Sequence, residues 1–136
     1  MSDPDVALVQ ANSAAFSARD VETMLGFYHP EATVVDRRRV GFGTFTGHAE
    51  LGAYYRSIVD SALEMHERLE VIASGDGKVA AQCELRGILA SDPTGPEVSA
   101  EYGLLATIDE GLIVRLDVCE DGDHALELSG LGGSAA

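Results

Sequence analysis

The segment from residue 31 to residue 55 holds most of the side chains in this sequence that could do chemistry. Asp36 follows a run of β-branched residues, so we expect it at the end of a short strand, before three arginines and a glycine-containing turn. In a strand, Ala32, Val34 and Asp36 point to the same face. A carboxylate at the mouth of an apolar pocket has a raised pKa that suits a general base. We therefore predict Asp36 as a general base; the alternative is a structural acid that pairs with a nearby arginine or caps the turn.

Arg38 lies two residues after Asp36 and projects to the same face if the strand continues. A carboxylate–guanidinium pair in a pocket could position a water molecule or bind a carbonyl or carboxylate oxygen. The pairing would also make Asp36 a poorer base. Arg37 and Arg39 are expected to face outward. The alternative for all three arginines is pairing with surface carboxylates or a dimer contact.

Other residues are expected to line the same pocket. Asn12 interrupts the apolar face of the first predicted helix and could donate one hydrogen bond to a ligand, although a structural bond to a neighbour is the alternative. Aromatic side chains in these positions belong to a core more often than to a binding site, yet they would also form the pocket wall. The candidate wall residues are Phe16, Tyr28, Tyr54, Tyr55, Tyr102, Leu104, Leu116 and Val118.

The patterns that bind metals and phosphates are missing from the sequence. The four histidines are scattered, and Cys83 and Cys119 match no metal-binding or redox spacing. Each cysteine lies in an apolar run and is expected to be reduced and buried. Gly41 and Gly43 follow a strand but lack the third glycine of a dinucleotide fingerprint. We therefore expect no metal and no cofactor.

The overall charge narrows the choice of partners. The chain carries 23 acidic and nine basic side chains, for a net charge of −14 over 136 residues. Such a surface repels the phosphates of nucleic acids and the headgroups of anionic lipids, so we expect neither as a partner. No apolar run reaches the roughly 18 residues that span a bilayer, and the chain does not open on a signal-peptide pattern. These features predict a cytoplasmic protein.

Capping signals predict two helices at the start of the chain. Asp3 and Pro4 begin the first helix, and apolar residues then recur at helical spacing. Asp20 caps a short second helix that has Tyr28 on its buried side, and Pro30 prevents its continuation.

A strand over 32–36 and a turn over 40–46 follow, before a third helix that begins at Gly47 or His48. After residue 63 the apolar pattern changes to a period of two, which indicates strands. Turn signals at 75–77, 91–96 and 109–111 divide these strands into an antiparallel meander.

The last predicted strand covers 112–119, with Val114, Leu116 and Val118 on one face. One or two helical turns are expected near 125–128. We predict one domain over 1–129 and a flexible C-terminal tail over 130–136.

Three helices followed by antiparallel strands predict an α+β fold, in which the helices cover the concave face of one strongly bent sheet and leave a central pocket. The segments HPEATVVD and TGHAELGAYYRSIV resemble the nuclear-transport-factor-2-like superfamily, which includes SnoaL-like polyketide cyclases and ketosteroid isomerases. The resemblance extends from Val6 to Val118. The Asp-Arg-Arg-Arg run is similar to that of an actinobacterial subgroup.

This resemblance implies roles for several residues. Asp36 stands where ketosteroid isomerases have the aspartate that shuttles the proton. Asn12 and Leu104 stand where that family has a tyrosine and a second acid, so its oxyanion hole is not reproduced. An Asp-x-Arg pair resembles the aspartate–arginine–aspartate set of limonene epoxide hydrolases. SnoaL-like cyclases carry an aspartate on the final strand, but the alternation here places Asp117 on the convex face.

Two classes of function follow from the sequence. The first is an isomerase, cyclase, dehydratase or hydrolase for an apolar, ring-bearing substrate, with Asp36 as base and Arg38 or Asn12 orienting an oxygen. The alternative is a non-catalytic module for ligand binding, dimerisation or partner docking. Leu105 and Ile113 are expected to be exposed on the outer face of the sheet, which predicts a homodimer through the sheet.

Overall fold

The computed structural model describes residues 3–39, 41 and 43–131. In chain order its helices are α1 (Pro4–Ser17), α2 (Val21–Gly26), α3 (Gly47–Asp60) and α4 (Gly122–Ser129). Its strands are β1 (Tyr28–Asp36), β2 (Gly43–Thr46), β3 (Ala62–Gly75), β4 (Lys78–Leu89), β5 (Val98–Asp109) and β6 (Leu112–Cys119). None of the helices in these described ranges is both long and apolar enough to cross a membrane.

The predicted helix starts are confirmed by the hydrogen bonds at their ends. The Asp3 carboxylate accepts from the backbone N–H groups of Asp5 and Val6, with Pro4 at the first helical position. The Asp20 carboxylate accepts from the backbone and hydroxyl of Thr23. Both caps satisfy N–H groups that the first helical turn leaves without partners.

Two local predictions between α2 and α3 are wrong. Tyr28 belongs to β1, not to the second helix, because α2 ends at Gly26 and the strand begins four residues earlier than predicted. The predicted turn over 40–46 includes β2, which pairs antiparallel with β1 from Thr33↔Thr46 to Asp36↔Gly43. Val40 and Phe42, also in that predicted turn, lie outside the described residues.

The described strands form one curved, open, mixed sheet in the order β2-β1-β6-β5-β4-β3. The predicted meander of β3, β4, β5 and β6 is antiparallel, whereas β1 joins the edge of β6 in parallel. Helices α1, α2 and α3 contribute to the main core on one face of the sheet, and α4 packs against β4 and β5 with a second small cluster. This α+β architecture is the cone that the sequence predicts.

The inner face of β6 departs from simple alternation. The pairing of β5 with β6 shifts between Thr107↔Arg115 and Ile108↔Ile113, which is a β-bulge. Because a shift of one residue reverses the faces of a strand, Ile113 is fully buried in the main core and Val114 is only half-buried. The predicted inward position of Val114 is therefore not matched by deep burial, while Leu116 and Val118 are buried as predicted.

The predicted exposure of Leu105 and Ile113 is wrong. Leu105 is 4% exposed because it packs with Ala80, Cys119 and Ala125 beneath α4. Ile113 is buried through the bulge in β6. The homodimer stays a prediction, without the support of these two residues.

Both cysteines are free and buried, as the sequence predicts. The helical turns predicted near 125–128 are confirmed as α4, which Gly130 ends in the left-handed conformation at φ 77°. Most of the predicted tail, residues 132–136, lies outside the described residues.

Candidate functional site

A cavity of about 260 Å³ lies between the helices and the concave face of the sheet. Nine of the predicted site residues line it: Asn12, Phe16, Arg38, Tyr54, Tyr55, Tyr102, Leu104, Leu116 and Val118. The lining also contains five residues that the sequence reasoning did not select: Met24, Ile58, Ser61, Glu67 and Leu85. Ser61 is exposed at the C-terminal end of α3, so the cavity reaches the surface there. The described lining does not include Asp36 or Tyr28.

Asp36 lies directly behind Arg38 and holds its guanidinium in place. One carboxylate oxygen, Oδ1, accepts from the backbone N–H of Arg38 at 3.2 Å and from its Nε at 2.9 Å, and Oδ2 accepts from Nη2 at 2.7 Å. The Asp36 side chain has no exposed surface, and the Arg38 side chain is 24% exposed. The hydrogen bond to Asp36 is the main cause that raises the pKa of Arg38. Arg38 is thus a fixed cation at the cavity wall, not a surface arginine.

Glycine at position 41 lets the turn after β1 pass close to this pair. The N–H of Gly41 donates to the carbonyl of Arg38 at 2.9 Å. A Cβ atom at position 41 would lie 2.7 Å from the carbonyl oxygen of Asp36 and 2.9 Å from its Oδ1. Any side chain there would force the turn or the carboxylate to shift, because the backbone passes so close to Asp36.

The two neighbouring arginines, Arg37 and Arg39, are exposed and lie outside the described cavity lining, as predicted. Nε of Arg37 donates to Oδ1 of Asp117 at 2.7 Å, and Arg115 donates to both oxygens of the same carboxylate. The backbone N–H of Arg39 donates to Glu120. Asp117 is 3% exposed and lies outside the described cavity lining, whereas its neighbours Leu116 and Val118 belong to it. The described Asp117 contacts are therefore a structural ion-pair cluster.

A second polar group in the cavity links α1, β1 and α3. Nδ2 of Asn12 donates to the hydroxyl of Tyr28 at 3.3 Å, and the hydroxyls of Tyr28 and Tyr55 are 2.8 Å apart. Oδ1 of Asn12 is buried and has no hydrogen-bond partner among the described residues. Burial raises the pKa of both tyrosines far above neutrality, so their hydroxyls stay protonated. Tyr28 was predicted as a wall residue, but it lies outside the described cavity lining and forms a hydrogen bond with Tyr55, which does line the cavity.

The two tyrosines of α3 both point inward, although the sequence left open which of them would. Tyr54 stacks on Phe45 with ring centroids 4.6 Å apart, and Tyr55 meets Phe16 edge-on at 5.9 Å. Burial raises the pKa of Tyr54 to about 12. Because both rings line the cavity, its wall is aromatic on the helical side.

Glu67 on β3 is the acidic residue in the described cavity lining, and the sequence reasoning missed it. It is 7% exposed, and its Oε2 accepts a hydrogen bond from the hydroxyl of Tyr102. Burial raises the pKa of Glu67, while hydrogen bonds from Tyr102 and Ser13 act in the opposite direction. The sequence did contain a signal for it. Glu67 lies two residues before Leu69, and alternate residues of a strand point to the same face, so both side chains point inward.

Tyr102 connects the two charged parts of the cavity. Its ring lies beneath the guanidinium of Arg38, with the Arg38 Cζ atom 5.6 Å from the ring centroid. Its hydroxyl donates to Glu67. The cation therefore lies over the face of this ring, and the acid lies at its hydroxyl edge.

Across the residues that the structure describes, no three His, Cys, Asp or Glu side chains come together as a possible metal site. The arrangement can instead bind an oxygen atom at Arg38, accept a hydrogen bond at Asn12 and exchange a proton at Glu67. Apart from Ser61, the remaining described wall is apolar or aromatic.

Comparison with known structures identifies the same architecture in other proteins. An NTF2-like protein of unknown function from Burkholderia pseudomallei K96243 superposes with a TM-score of 0.73 at 20% identity, over 93% of this chain and 98% of that one. A proposed polyketide cyclase from Xanthomonas campestris pv. campestris gives 0.70 at 22% identity, over 85% and 88%. TerC, co-crystallised with polyporic acid, gives 0.70 at 21% identity, over 95% and 98%. These similarities establish the fold.

The sequence itself provides the family assignment. No curated protein matches the chain. The model of the SnoaL-like domain matches residues 9–116, from within α1 to within β6. The chain belongs to the SnoaL-like domain family, and its central cavity is that of a SnoaL-type cavity protein.

Proposed function

We propose that this protein is an enzyme that converts a small, mainly apolar, ring-bearing molecule by proton transfer, without a cofactor. The reaction class is that of an isomerase, cyclase, dehydratase or epoxide hydrolase. The observation that carries the proposal is Arg38: a guanidinium that lines an apolar cavity and is held there by a fully buried carboxylate.

The size and wall of the cavity support a small ring-bearing ligand. About 260 Å³ lies near the lower end of the roughly 300–1,000 Å³ typical of ligand pockets. The rings of Phe16, Tyr54, Tyr55 and Tyr102 provide flat surfaces on which a ring can stack. TerC, which shares the fold, was crystallised with a small molecule.

Arg38 supplies the group that would bind an oxygen of the substrate. Its Nε and Nη2 are engaged by Asp36, and a guanidinium has five N–H donors, so others remain for a ligand. A guanidinium fixed before the ligand arrives stabilises negative charge that develops on a carbonyl or epoxide oxygen without having to reorganise. We therefore assign Arg38 to substrate binding and charge stabilisation, and Asp36 to positioning Arg38.

The general-base role of Asp36 stays a prediction. Its two oxygens accept three hydrogen bonds from Arg38, which favours a positioning role over proton transfer. Asn12, whose buried Oδ1 has no hydrogen-bond partner in the part of the chain that the structure describes, is suited to a substrate that also carries a hydroxyl group.

Native mass spectrometry with a panel of lipophilic ketones, epoxides and lactones tests the proposal. We expect the protein to retain at least one compound and to convert it. Arg38→Met should weaken binding by tenfold or more, because a charged hydrogen bond contributes about 1.5–3 kcal/mol. Arg56→Met is the matched control, because Arg56 lies on α3 with a side chain that is 51% exposed and pairs with Glu22.

The remaining outcomes separate the alternatives. Conversion that is lost in Asp36→Asn while binding survives would support catalysis that depends on the Asp36–Arg38 pair. Binding without conversion of any compound would favour a non-catalytic ligand-binding protein. No binding at all would favour a dimerisation or partner-docking module and would contradict the proposal.

A further inference from the structure

The acid that lines the cavity is Glu67, and the sequence pointed instead to Asp36. We propose that Glu67 is the residue that exchanges a proton with the ligand in this cavity, and that the ligand class is a cyclic ketone with an acidic C–H group beside its carbonyl. This inference rests on the proposed function and assigns its proton-transfer step to a different side chain.

Position is the first argument for Glu67. Glu67 is part of the described cavity lining, whereas Asp36 is not. Both residues are buried, but the two oxygens of Asp36 face Arg38. A base must lie within hydrogen-bond reach of the proton that it removes, so the acid on the wall is favoured over the acid behind it.

The environment of Glu67 also prepares it for proton exchange. Its carboxylate is held by the hydroxyl of Tyr102 and by Ser13, and its backbone N–H is bonded to Ser17 Oγ at 2.9 Å. These contacts come from α1 and β5 and fix the side chain from two elements. A general base with a fixed geometry and a pKa closer to neutrality than that of a free glutamate is an effective one.

The titratable groups around Glu67 do not compete with it as proton acceptors. The titratable side chains whose charges interact with it are Tyr28, Tyr54, Tyr55, His66, Cys83 and Tyr102. Burial raises the pKa of the tyrosines and of the cysteine, so these groups remain neutral in the range in which a carboxyl group titrates. His66 follows the opposite parity on β3 and is exposed.

Tyr102 contacts both of the groups that the proposed step uses. Arg38 stands over the Tyr102 ring, and Glu67 is bonded to the Tyr102 hydroxyl. Because both groups contact Tyr102 and line the same cavity, a ketone bound beside Tyr102 with its oxygen at Arg38 would have Glu67 as the nearby acid for a neighbouring C–H.

The proposed step balances without any further reactant. The Glu67 carboxylate takes a proton from the carbon beside the carbonyl, the C–H electron pair becomes the C=C bond of an enolate, and the carbonyl π pair moves onto oxygen. Arg38 stabilises the resulting negative charge. Return of the proton to the same carbon regenerates the ketone, and its return to a conjugated carbon isomerises the substrate.

Hydrogen–deuterium exchange of 2-tetralone in D₂O tests this step directly. Proton NMR follows the loss of the signals beside the carbonyl, with and without the protein, and binding of 2-tetralone is measured in parallel by titration. We expect the protein to accelerate exchange over buffer and Glu67→Gln to reduce the protein-dependent rate by at least tenfold. Glu70→Gln is the matched control: the same change on the same strand, at an exposed position.

A second variant gives a signature that a purely structural role would not produce. The hydrogen bond from Tyr102 lowers the pKa of Glu67, so Tyr102→Phe should raise it. Since the base works in its ionised form, the exchange rate should rise with pH through a midpoint that lies higher in Tyr102→Phe than in the unmodified protein. This shift can be read even if Glu67→Gln fails to fold.

Each outcome decides one of the two proposals. Full exchange in a folded Glu67→Gln variant, or an unchanged midpoint in Tyr102→Phe, would overturn the role of Glu67. Binding of 2-tetralone with no exchange would overturn it as well, while leaving ligand binding by Arg38 intact. Absence of both binding and exchange for 2-tetralone would overturn this inference, and if no compound of the ligand panel binds either, the proposed function falls as well.

Discussion

Replacing Asp36 with asparagine should destabilise the fold and release Arg38. The variant removes the charge from a side chain with no exposed surface and puts an amide N–H₂ where one oxygen now accepts from Arg38. Removing one partner of a buried ion pair costs about 3–5 kcal/mol. Because Arg38 keeps 24% of its side chain exposed and can reach water, we expect a loss at or below the lower limit of that range, about 2–3 kcal/mol in the free energy of unfolding.

Urea unfolding followed by circular dichroism measures this loss. The matched control is Glu22→Gln, which removes the carboxylate of an ion pair with Arg56 in which the side chains are 83% and 51% exposed. Exposed pairs contribute about 0–1 kcal/mol, so the control should change stability little. In the double variant Asp36→Asn/Arg38→Met the cost should be less than the sum of the single changes, because no cation is then left unpaired. Equal stability of Asp36→Asn and Glu22→Gln would refute the reasoning.

Three further predictions concern the turn, the cavity acid and the outer face of the sheet. Gly41→Ala should cost about 1–3 kcal/mol and weaken ligand binding, because a Cβ there would lie 2.7 Å from a backbone oxygen; Gly26→Ala, with no atom within 4 Å, is the control, and equal effects in urea unfolding would contradict the prediction. The pKa of Glu67 is raised in the folded state, so its stabilising effect is complete below the ordinary glutamate pKa of about 4.3 and is lost as pH rises through the higher folded value. Unfolding measured across that range should therefore show a smaller fall in stability for Glu67→Gln, and an unchanged fall would argue against a perturbed acid. Leu105→Ala should cost about 2–5 kcal/mol by thermal or urea unfolding, because Leu105 is buried beneath α4; a change below 1 kcal/mol would mean that the helix does not cover it.

The fold could be predicted from the sequence because its local signals agree. Asp3 and Asp20 lie at helix starts, Gly75 and Gly77 lie at a hairpin, and the apolar period changes from helical to alternating between α3 and β3. Each of these signals depends on neighbours within a few residues. They were sufficient to predict three helices packed on a bent sheet.

The features that the sequence did not reveal depend on contacts between distant segments. β1 pairs in parallel with β6, about 80 positions further along the chain, and nothing in residues 28–36 identifies that partner. The bulge opposite Ile108 turns Ile113 inward, and α4 covers Leu105. In the last two cases a tertiary contact decides which face of a strand is buried.

The candidate site could be predicted in part. Arg38, Asn12 and the aromatic wall were selected because their type and parity suit a pocket, and all of these except Tyr28 line it. The sequence did not predict that Arg38 lines the cavity while Asp36 lies behind it. That arrangement depends on how the turn at Gly41 brings the guanidinium back onto the carboxylate. Glu67 was missed because a single inward acid in a strand of exposed charges resembles its polar neighbours.

A crystal structure of the protein with a compound retained from the ligand panel tests the central claim most directly. We predict a ring-bearing molecule inside the cavity, stacked against the aromatic wall, with one oxygen about 2.7–3.2 Å from a nitrogen of Arg38. A ligand bound outside this cavity, or inside it with its oxygen away from Arg38, would contradict the account.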